Sequence, residues 1–545
     1  MVPTAPRLAR RLLVPALVMA VLSAGASAWP VAAQTAPPGL VVVLVVDQMR
    51  ADTLERYGAG WTGGLRRLFD DGAVFREAKH SYFGTLTCAG HATIATGTIP
   101  STHGMLLDGW WDAVAGRRVR CTADDSVEAV AYGSGAREQH GPATMRVASL
   151  ADELRLQNDP SAQVVAFAVK ARAAVPLAGH RGDAVAWFDP GNVWTTSTAF
   201  AETPVPFVAE HIRTHPVEDA RGQVWTPVSS TSDGTNGSDP HFAHRLASES
   251  DAGEADRAFY TAWRRSPWAD EYVAGLATAA VDALELGRGP GTDYLAVGFS
   301  AADYVGHDFG PHSAEVEDTY LRLDRTLGRL FDHLDTAVGR DRYVVALSAD
   351  HGLGPIPEQA TAMGLDAGRI ERGEVLAHVN RVLEPFFGPG EHAVGMGHIE
   401  LYFAPGVYDR LRANEEALAA VLAALGTYPG VQRAYRGEEL ATGPFADALT
   451  AQVARSYFPG RSGDLVVIPK PYWYTWIRAA DHGTGYDYDA RVPLVLAGPG
   501  IVPGRYSGAA APEDIAPTLA FLTGITLARP DGRVLTEALA DRDRR

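Results

Sequence analysis

Positive charge is scarce in this chain: 48 lysines and arginines stand against 65 aspartates and glutamates, for a net charge of −17 at neutral pH. Nucleic-acid phosphates are held by basic surface, so no nucleic-acid-binding surface is expected. The same deficit repels anionic substrates at long range, and any phosphate site must build its own local positive charge. Cysteine is nearly missing; Cys88 and Cys121 are the whole supply, leaving room for one disulfide at most. Long apolar runs are confined to the N-terminus, so no stable membrane span is expected in the rest of the chain. Repeats and low-complexity tracts are absent as well. What remains, 46% hydrophobic and 21% charged over 545 residues, is globular material for a large core.

Residues 1–33 stand apart. Arg7, Arg10 and Arg11 precede the apolar run LLVPALVMAVLSAGASA, and small residues follow. That order reads as a secretory signal peptide cleaved after Ala28 or Ala33. The alternative, a membrane anchor, needs a longer uninterrupted run, and Pro15 breaks this one. Cleavage removes three arginines and no acid, taking the net charge to about −20. The mature protein is then expected in a periplasm or outside the cell. Export would allow Cys88 and Cys121 to pair, fastening the loop around Cys88 to the segment after WWDAVAGRRVR; two free thiols are the alternative.

Five apolar runs, GLVVVLVVDQMR, AQVVAFAVKAR, TDYLAVGFSAADYVGH, DRYVVALSADHG and RVPLVLAGPG, are separated by helical patterns such as EVEDTYLRLDRTLGRLFDHLDTAV. Unbroken Val/Leu strands are buried on both faces. The expected fold is α/β, with a mostly parallel central sheet sandwiched by helices. The core is expected over 39–379 and 471–545, with residues 380–470 an inserted α+β cap. Residues 190–270 read as a long irregular surface excursion. The first four runs end in Asp47, in Lys170 and Arg172, in Asp303, and in Asp350 with His351. Open α/β sheets build sites at the carboxyl ends of their strands.

Asp303 and His307 lie four apart and share one side of a helical turn. Asp350 and His351 leave a strand together, and Asp481 and His482 recur in a later ADHG motif. Mixed carboxylate and imidazole sets suit zinc, singly or as a pair of ions, without excluding manganese or cobalt. A metal pair that cleaves phosphate esters through a covalent intermediate also needs a hydroxyl beside one ion. In the stretch TLTCAGHATIATG the candidates are Thr85, Thr87 and Cys88, and spacing does not choose among them.

The motifs VVDQMR, TLTCAGHATIATGTIPSTHGM, DYVGH, SADHG and HGTGYDYDARVPLVLAGPGI resemble the alkaline phosphatase superfamily. The resemblance is to its secreted, phosphate-irrepressible branch, related to the nucleotide pyrophosphatase/phosphodiesterases. It implies a di-zinc site, with Asp303, His307 and His482 on one ion and Asp47, Asp350 and His351 on the other. It implies Thr87 as nucleophile, held against a metal, and hydrolysis of small-molecule phosphate monoesters through a phosphothreonine. Lys170 and Arg172 match a Lys-x-Arg pair that reaches the non-bridging oxygens in the monoesterase branch; a lysine and a forked guanidinium suit the extra charge of a dianion. On a strand end, such alternating residues would point the same way.

One position departs from the family pattern. An asparagine that donates to phosphate is expected where this chain has Asp108, and a carboxylate donates only when protonated. Asp108 is then protonated by burial, turns away or bridges Lys170 or Arg172, or binds a further cation. The nearest rival function is a phosphodiesterase or nucleotide pyrophosphatase on the same site. A metal-stabilised binding protein and a metal-dependent mutase are more remote. CAGHA lacks the proline and arginine of a sulfatase motif.

Overall fold

Seven consecutive aliphatic residues, Leu40–Val46, form the central strand, and every one is buried. The computed structural model describes Met1 and residues 37–540, apart from 113–114, 136–137, 229–241, 249–254 and 446. The signal peptide expected at 1–33 therefore lies, Met1 aside, outside the described residues.

Ten strands make one sheet: β1 (Leu40–Val46), β2 (Ala73–Ala78), β3 (Ala129–Ala131), β4 (Val164–Ala168), β5 (Ala184–Asp189), β6 (Val193–Ser197), β7 (Asp293–Phe299), β8 (Tyr343–Ser348), β9 (Leu494–Ala497) and β10 (Gly504–Ala510). Their order is β10-β2-β9-β8-β1-β7-β4-β5-β6-β3. The centre, from β8 to β5, is parallel. The sheet as a whole is mixed, because β9 runs antiparallel to β8 and β2, and β6 antiparallel to β5 and β3. The run near 491–500, expected among the parallel strands, is β9. Its direction has a simple cause. The chain makes its long excursion from the carboxyl end of β8 and re-enters at that end, where Leu494 pairs with Ser348.

Alternate residues of β1 feed two cores, as a two-residue period requires. Leu40, Val42, Leu44 and Val46 pack with Val273, Leu276, Leu327 and Leu334 from helices Pro267–Ala283 and Ala314–Ala337. Val41, Val43 and Val45 pack with Leu154, Val175, Leu177 and Leu519 on the opposite face. Apolar burial on both sides explains why the central strands carry no polar residue until their ends.

Two regions refine the sequence reading. The segment 190–270 is not irregular throughout: it contains β6, helices Pro206–Thr214 and Arg257–Arg264, and a short pairing of Val224–Trp225 with His244–Arg245. Trp225, Phe259 and Trp263 are buried in the first core, so its aromatic residues anchor what its Ser/Gly content suggested was loose. Between β8 and β9 lies an antiparallel sheet of Ala393–Gly397, Glu400–Phe403, Leu465–Pro469 and Val431–Arg436. Its hydrophobic cluster joins Leu401 and Val467 to Val379 and Val421, from helices Arg372–Phe387 and Glu415–Gly426.

Candidate metal centre

β8, β1, β7 and β4 are neighbours in the sheet, so the polar residues at their carboxyl ends converge. Asp47 follows β1, and Asp350 and His351 follow β8. Lys170 follows β4, and a helix carrying Asp303 and His307 (Ala301–Phe309) follows β7. All six are buried, as is His482 from the segment before β9. His351 Nε2 lies 3.5 Å from Asp47 Oδ1 and 3.4 Å from Asp350 Oδ2. Asp303 Oδ1 lies 3.2 Å from His307 Nε2 and 3.7 Å from His482 Nε2. The His351 and His482 rings stack at 3.5 Å.

The donor set fits cations. The Nδ1 atoms of His307, His351 and His482 face the carbonyl oxygens of Ala480, Gly352 and Thr85 at 2.8, 3.0 and 3.0 Å. A carbonyl only accepts, so each Nδ1 carries the proton and each Nε2 presents a lone pair. Those lone pairs point at carboxylate oxygens, an arrangement that repels unless a positive charge lies between. Asp47 Oδ1, Asp350 Oδ2 and His351 Nε2 have no hydrogen-bond partner. Spacings of 3.4–3.5 Å match the edge of a tetrahedron, about 3.4 Å for ligands roughly 2.1 Å from zinc. Burial, and then the carboxylates of Asp303 and Asp350, push Asp47 well above the usual carboxylate range. Burial works against ionisation of Asp303 too, but the Lys170 ammonium holds it well below that range. Burial and the neighbouring imidazoles keep His482 neutral, with its pKa well below the usual value. Three candidate ligand triads occur among the described residues: Asp47/Asp350/His351, Asp303/His351/His482 and His307/Asp481/His482.

The stretch TLTCAGHATIATG folds as helix α1 (Thr87–Thr96), and all ten of its residues are buried. Being enclosed on every side explains its small residues and its lack of an amphipathic pattern. It sits directly on the metal-site strand: a Cβ at Gly90 would approach Asp350 atoms to 2.4 Å, a gap only glycine permits. Three hydroxyl or thiol groups were open as nucleophiles. Thr85 Oγ1 donates to the Thr484 carbonyl at 2.7 Å, and Cys88 is bonded to Cys121. Thr87 is the first residue of α1. The Cys88–Cys121 bridge spans a sequence separation of 33 and constrains the unfolded chain by about 3–4 kcal/mol. It also ties the strand Arg117–Arg120 to the start of α1.

Lys170 and Arg172 do not share a strand end. β4 stops at Ala168, Lys170 is the N-cap of helix α2 (Ala171–Ala178), and Arg172 lies in its first turn. The two side chains take different partners, although both line one cavity. Lys170 Nζ reaches Asp47 Oδ2 and Asp303 Oδ2, both at 2.5 Å. Arg172 Nε lies 2.9 Å from Asp108 Oδ2. Of the three readings open for Asp108, the bridge to Arg172 is the arrangement found. Burial opposes ionisation of Asp108, but Arg172 and the Cys88 N–H hold its carboxyl below the usual range. Its Oδ1 accepts from that N–H at 3.1 Å.

Four further residues hold the centre together. Gln48, in left-handed backbone at φ 70°, donates from its Nε2 to Asp303 Oδ1 at 2.8 Å and from its backbone N–H to Asp350 Oδ1 at 3.1 Å. His91 Nδ1 donates to the Thr87 carbonyl at 2.9 Å and lies 3.2 Å from Asp350 Oδ2. Asp270 accepts from the N–H groups of Ser300 and Ala301, at 2.8 and 3.0 Å, fixing the start of α3 (Ala301–Phe309). Asp481 Oδ1 lies 3.8 Å from His307 Nδ1, behind the ring. Gln48 and His91 lie within recognised motifs, whereas nothing local in the sequence marks Asp270, which sits in another helix.

The sequence pattern of the type I phosphodiesterase / nucleotide pyrophosphatase family matches residues 41–487. The chain belongs to this family. Alkaline phosphatase PafA of Elizabethkingia meningoseptica is 31% identical over 516 residues, covering 91% of this chain and 93% of its own. A protein of Myroides odoratus described as a calcium-transporting ATPase is 30% identical over 529 residues, 92% and 94% of the two chains. The crystal structure of wild-type PafA matches with a TM-score of 0.84 at 29% identity, covering 92% of this chain and 99% of that one. Type I phosphodiesterase family membership and the PafA-like fold thus agree with the large mixed sheet flanked by helices. No helix among the described residues is long and apolar enough to cross a membrane.

Proposed function

We propose that this protein is an alkaline phosphatase: a metal-dependent phosphomonoesterase that transfers a phosphoryl group to Thr87 and then to water. The observation that carries this reading is the set of three imidazoles whose Nδ1–H groups are held by backbone carbonyls. Their Nε2 atoms face the buried carboxylates of Asp47, Asp303 and Asp350. Asp303, His307 and His482 would hold one zinc and Asp47, Asp350 and His351 the other. When bound, the ions lower the pKa of a nearby hydroxyl and stabilise both the attacking and the leaving oxygens. Thr87 Oγ1 forms the bond to phosphorus as the bond to the leaving oxygen breaks, and water then releases phosphate from the phosphothreonine. Lys170 and Arg172 hold the non-bridging oxygens, and Gln48 keeps Asp303 and Asp350 in register for both steps. A disulfide persists in oxidising compartments, which supports export by a signal peptide at 1–33 to a periplasm or beyond the cell. Residues 380–470 are taken as an accessory subdomain inserted into the core of 39–379 and 471–545.

Phosphodiesterase action is the second reading. It is favoured by the family's description and by Asp108, whose charge repels a dianion more than a diester monoanion. A ratio decides between them. We expect kcat/KM for p-nitrophenyl phosphate to exceed that for bis(p-nitrophenyl) phosphate by at least about a hundredfold, the effect of roughly 3 kcal/mol of charge recognition by two cations. A ratio below one assigns the site to diesters.

A further inference from the structure

An open cavity of about 610 Å³ adjoins the metal centre, with Asp108, Lys170 and Arg172 in its wall. Five more arginines line it: Arg118, Arg120, Arg257, Arg264 and Arg265. Seven cationic side chains against one carboxylate is a local inversion of a chain whose net charge is −17. Not all of that charge is available. Arg120 pairs with Glu138 at 2.8 Å, Arg265 with Asp308 at 2.5 Å, and Arg172 with Asp108. Arg264 lies over the Phe188 ring at 5.6 Å. Among the described residues, Arg118 and Arg257 form no ion pair, and both are exposed. They come from unrelated parts of the fold. Arg118 is in the strand Arg117–Arg120, tethered beside α1 through Cys121, and Arg257 opens the helix Arg257–Arg264.

Resting on the phosphatase reading above, we infer that this cavity binds a leaving group that itself carries a phosphoryl group, with Arg118 and Arg257 as its anion contacts. The preferred substrates are then bisphosphorylated or polyphosphorylated small molecules. One phosphoryl group meets Thr87, Lys170 and Arg172, and the next is received across the cavity. Two forked guanidiniums from different elements of the lining suit a second phosphate, which takes bidentate bonds from each. A wall of one charge sign also raises the local concentration of such anions against the repulsion of the whole chain. A neutral leaving group gains nothing from either arginine, so the cavity acts on selectivity rather than on the chemistry of the bond.

The test compares fructose 1,6-bisphosphate with fructose 6-phosphate, using the full-length mature protein, Arg118→Gln, Arg257→Gln and the double variant, with p-nitrophenyl phosphate as reference. The expected result is that the parent prefers the bisphosphate in kcat/KM by at least about tenfold, a preference that fades at high salt. The double variant is expected to lose that preference through KM, while each single variant loses part of it. A parent ratio near two, the statistical value for two phosphates, overturns the inference, as does a preference that survives in the double variant. Hydrolysis of p-nitrophenyl phosphate without selectivity leaves the phosphatase reading standing and removes only this one. No hydrolysis of any of the three removes both.

Discussion

Thr87→Ala is expected to lower kcat/KM toward p-nitrophenyl phosphate by at least about ten-thousandfold, because it deletes the atom proposed to attack phosphorus. The helix that carries Thr87 constrains this outcome. Gly90 lies against Asp350, and His91 joins the Thr87 carbonyl to the same carboxylate, so α1 cannot shift to present another residue. Thr85 is committed to the Thr484 carbonyl and Cys88 to its disulfide, and neither can substitute. Removing one methyl and one hydroxyl from a helix start leaves the fold intact, so the melting temperature should move by only a few degrees. Thr87→Ser keeps the hydroxyl and should retain activity within about a hundredfold. Steady-state kinetics on both variants, with calorimetry, checks this; an alanine variant with parental turnover contradicts it.

Exhaustive chelation should bring hydrolysis to background and also destabilise the fold. Three buried carboxylates meet at the ends of β1 and β8 and the start of α3, and among the described residues Lys170 is the only lysine or arginine paired with any of them, reaching Asp47 and Asp303. Without cations Asp47 is driven toward its protonated form, and the imidazole lone pairs face anionic oxygens with nothing between. Ions that bind only the folded chain stabilise it by about 4 kcal/mol each when free metal exceeds the dissociation constant a thousandfold. Thermal unfolding with and without chelator should therefore differ by roughly 5–10 °C for a chain of this size, and added zinc should restore both stability and rate. Unchanged melting after complete metal removal contradicts the cation-holding role of these residues.

The sequence made the convergence of strand ends legible because that convergence follows from a periodic rule. An unbroken apolar run means a central strand, and its first polar residue marks the carboxyl end. Asp47, Lys170, Asp303, Asp350 and His351 were all reachable this way. Local pattern was a poorer guide wherever tertiary placement decided the outcome. The antiparallel direction of β9 depends on which end of the sheet the chain returns to, and its own residues do not record that. Lys170 and Arg172 look like alternating strand residues, yet the strand has already ended and a helix begins between them. The Ser/Gly content of 190–270 hid the aromatic anchors Trp225, bonded to Asp318 in the helix Ala314–Ala337, and Trp263, packed on Phe188 of β5 and on Tyr272. Asp270 supports the start of α3 from another helix, and no motif reports such a contact. Asp108 was visible as a departure from the family pattern, but its pairing with Arg172 required the fold.

Two cations side by side, with Thr87 at the start of the adjoining helix, are the centre of this account. The most direct measurement is elemental analysis of the purified mature protein, paired with Asp47→Asn and His482→Ala. The account predicts two zinc-class ions per active chain, with each variant losing about one ion and most of its activity. A fully active chain that holds no metal, or variants that keep the parental metal content and rate, would contradict it.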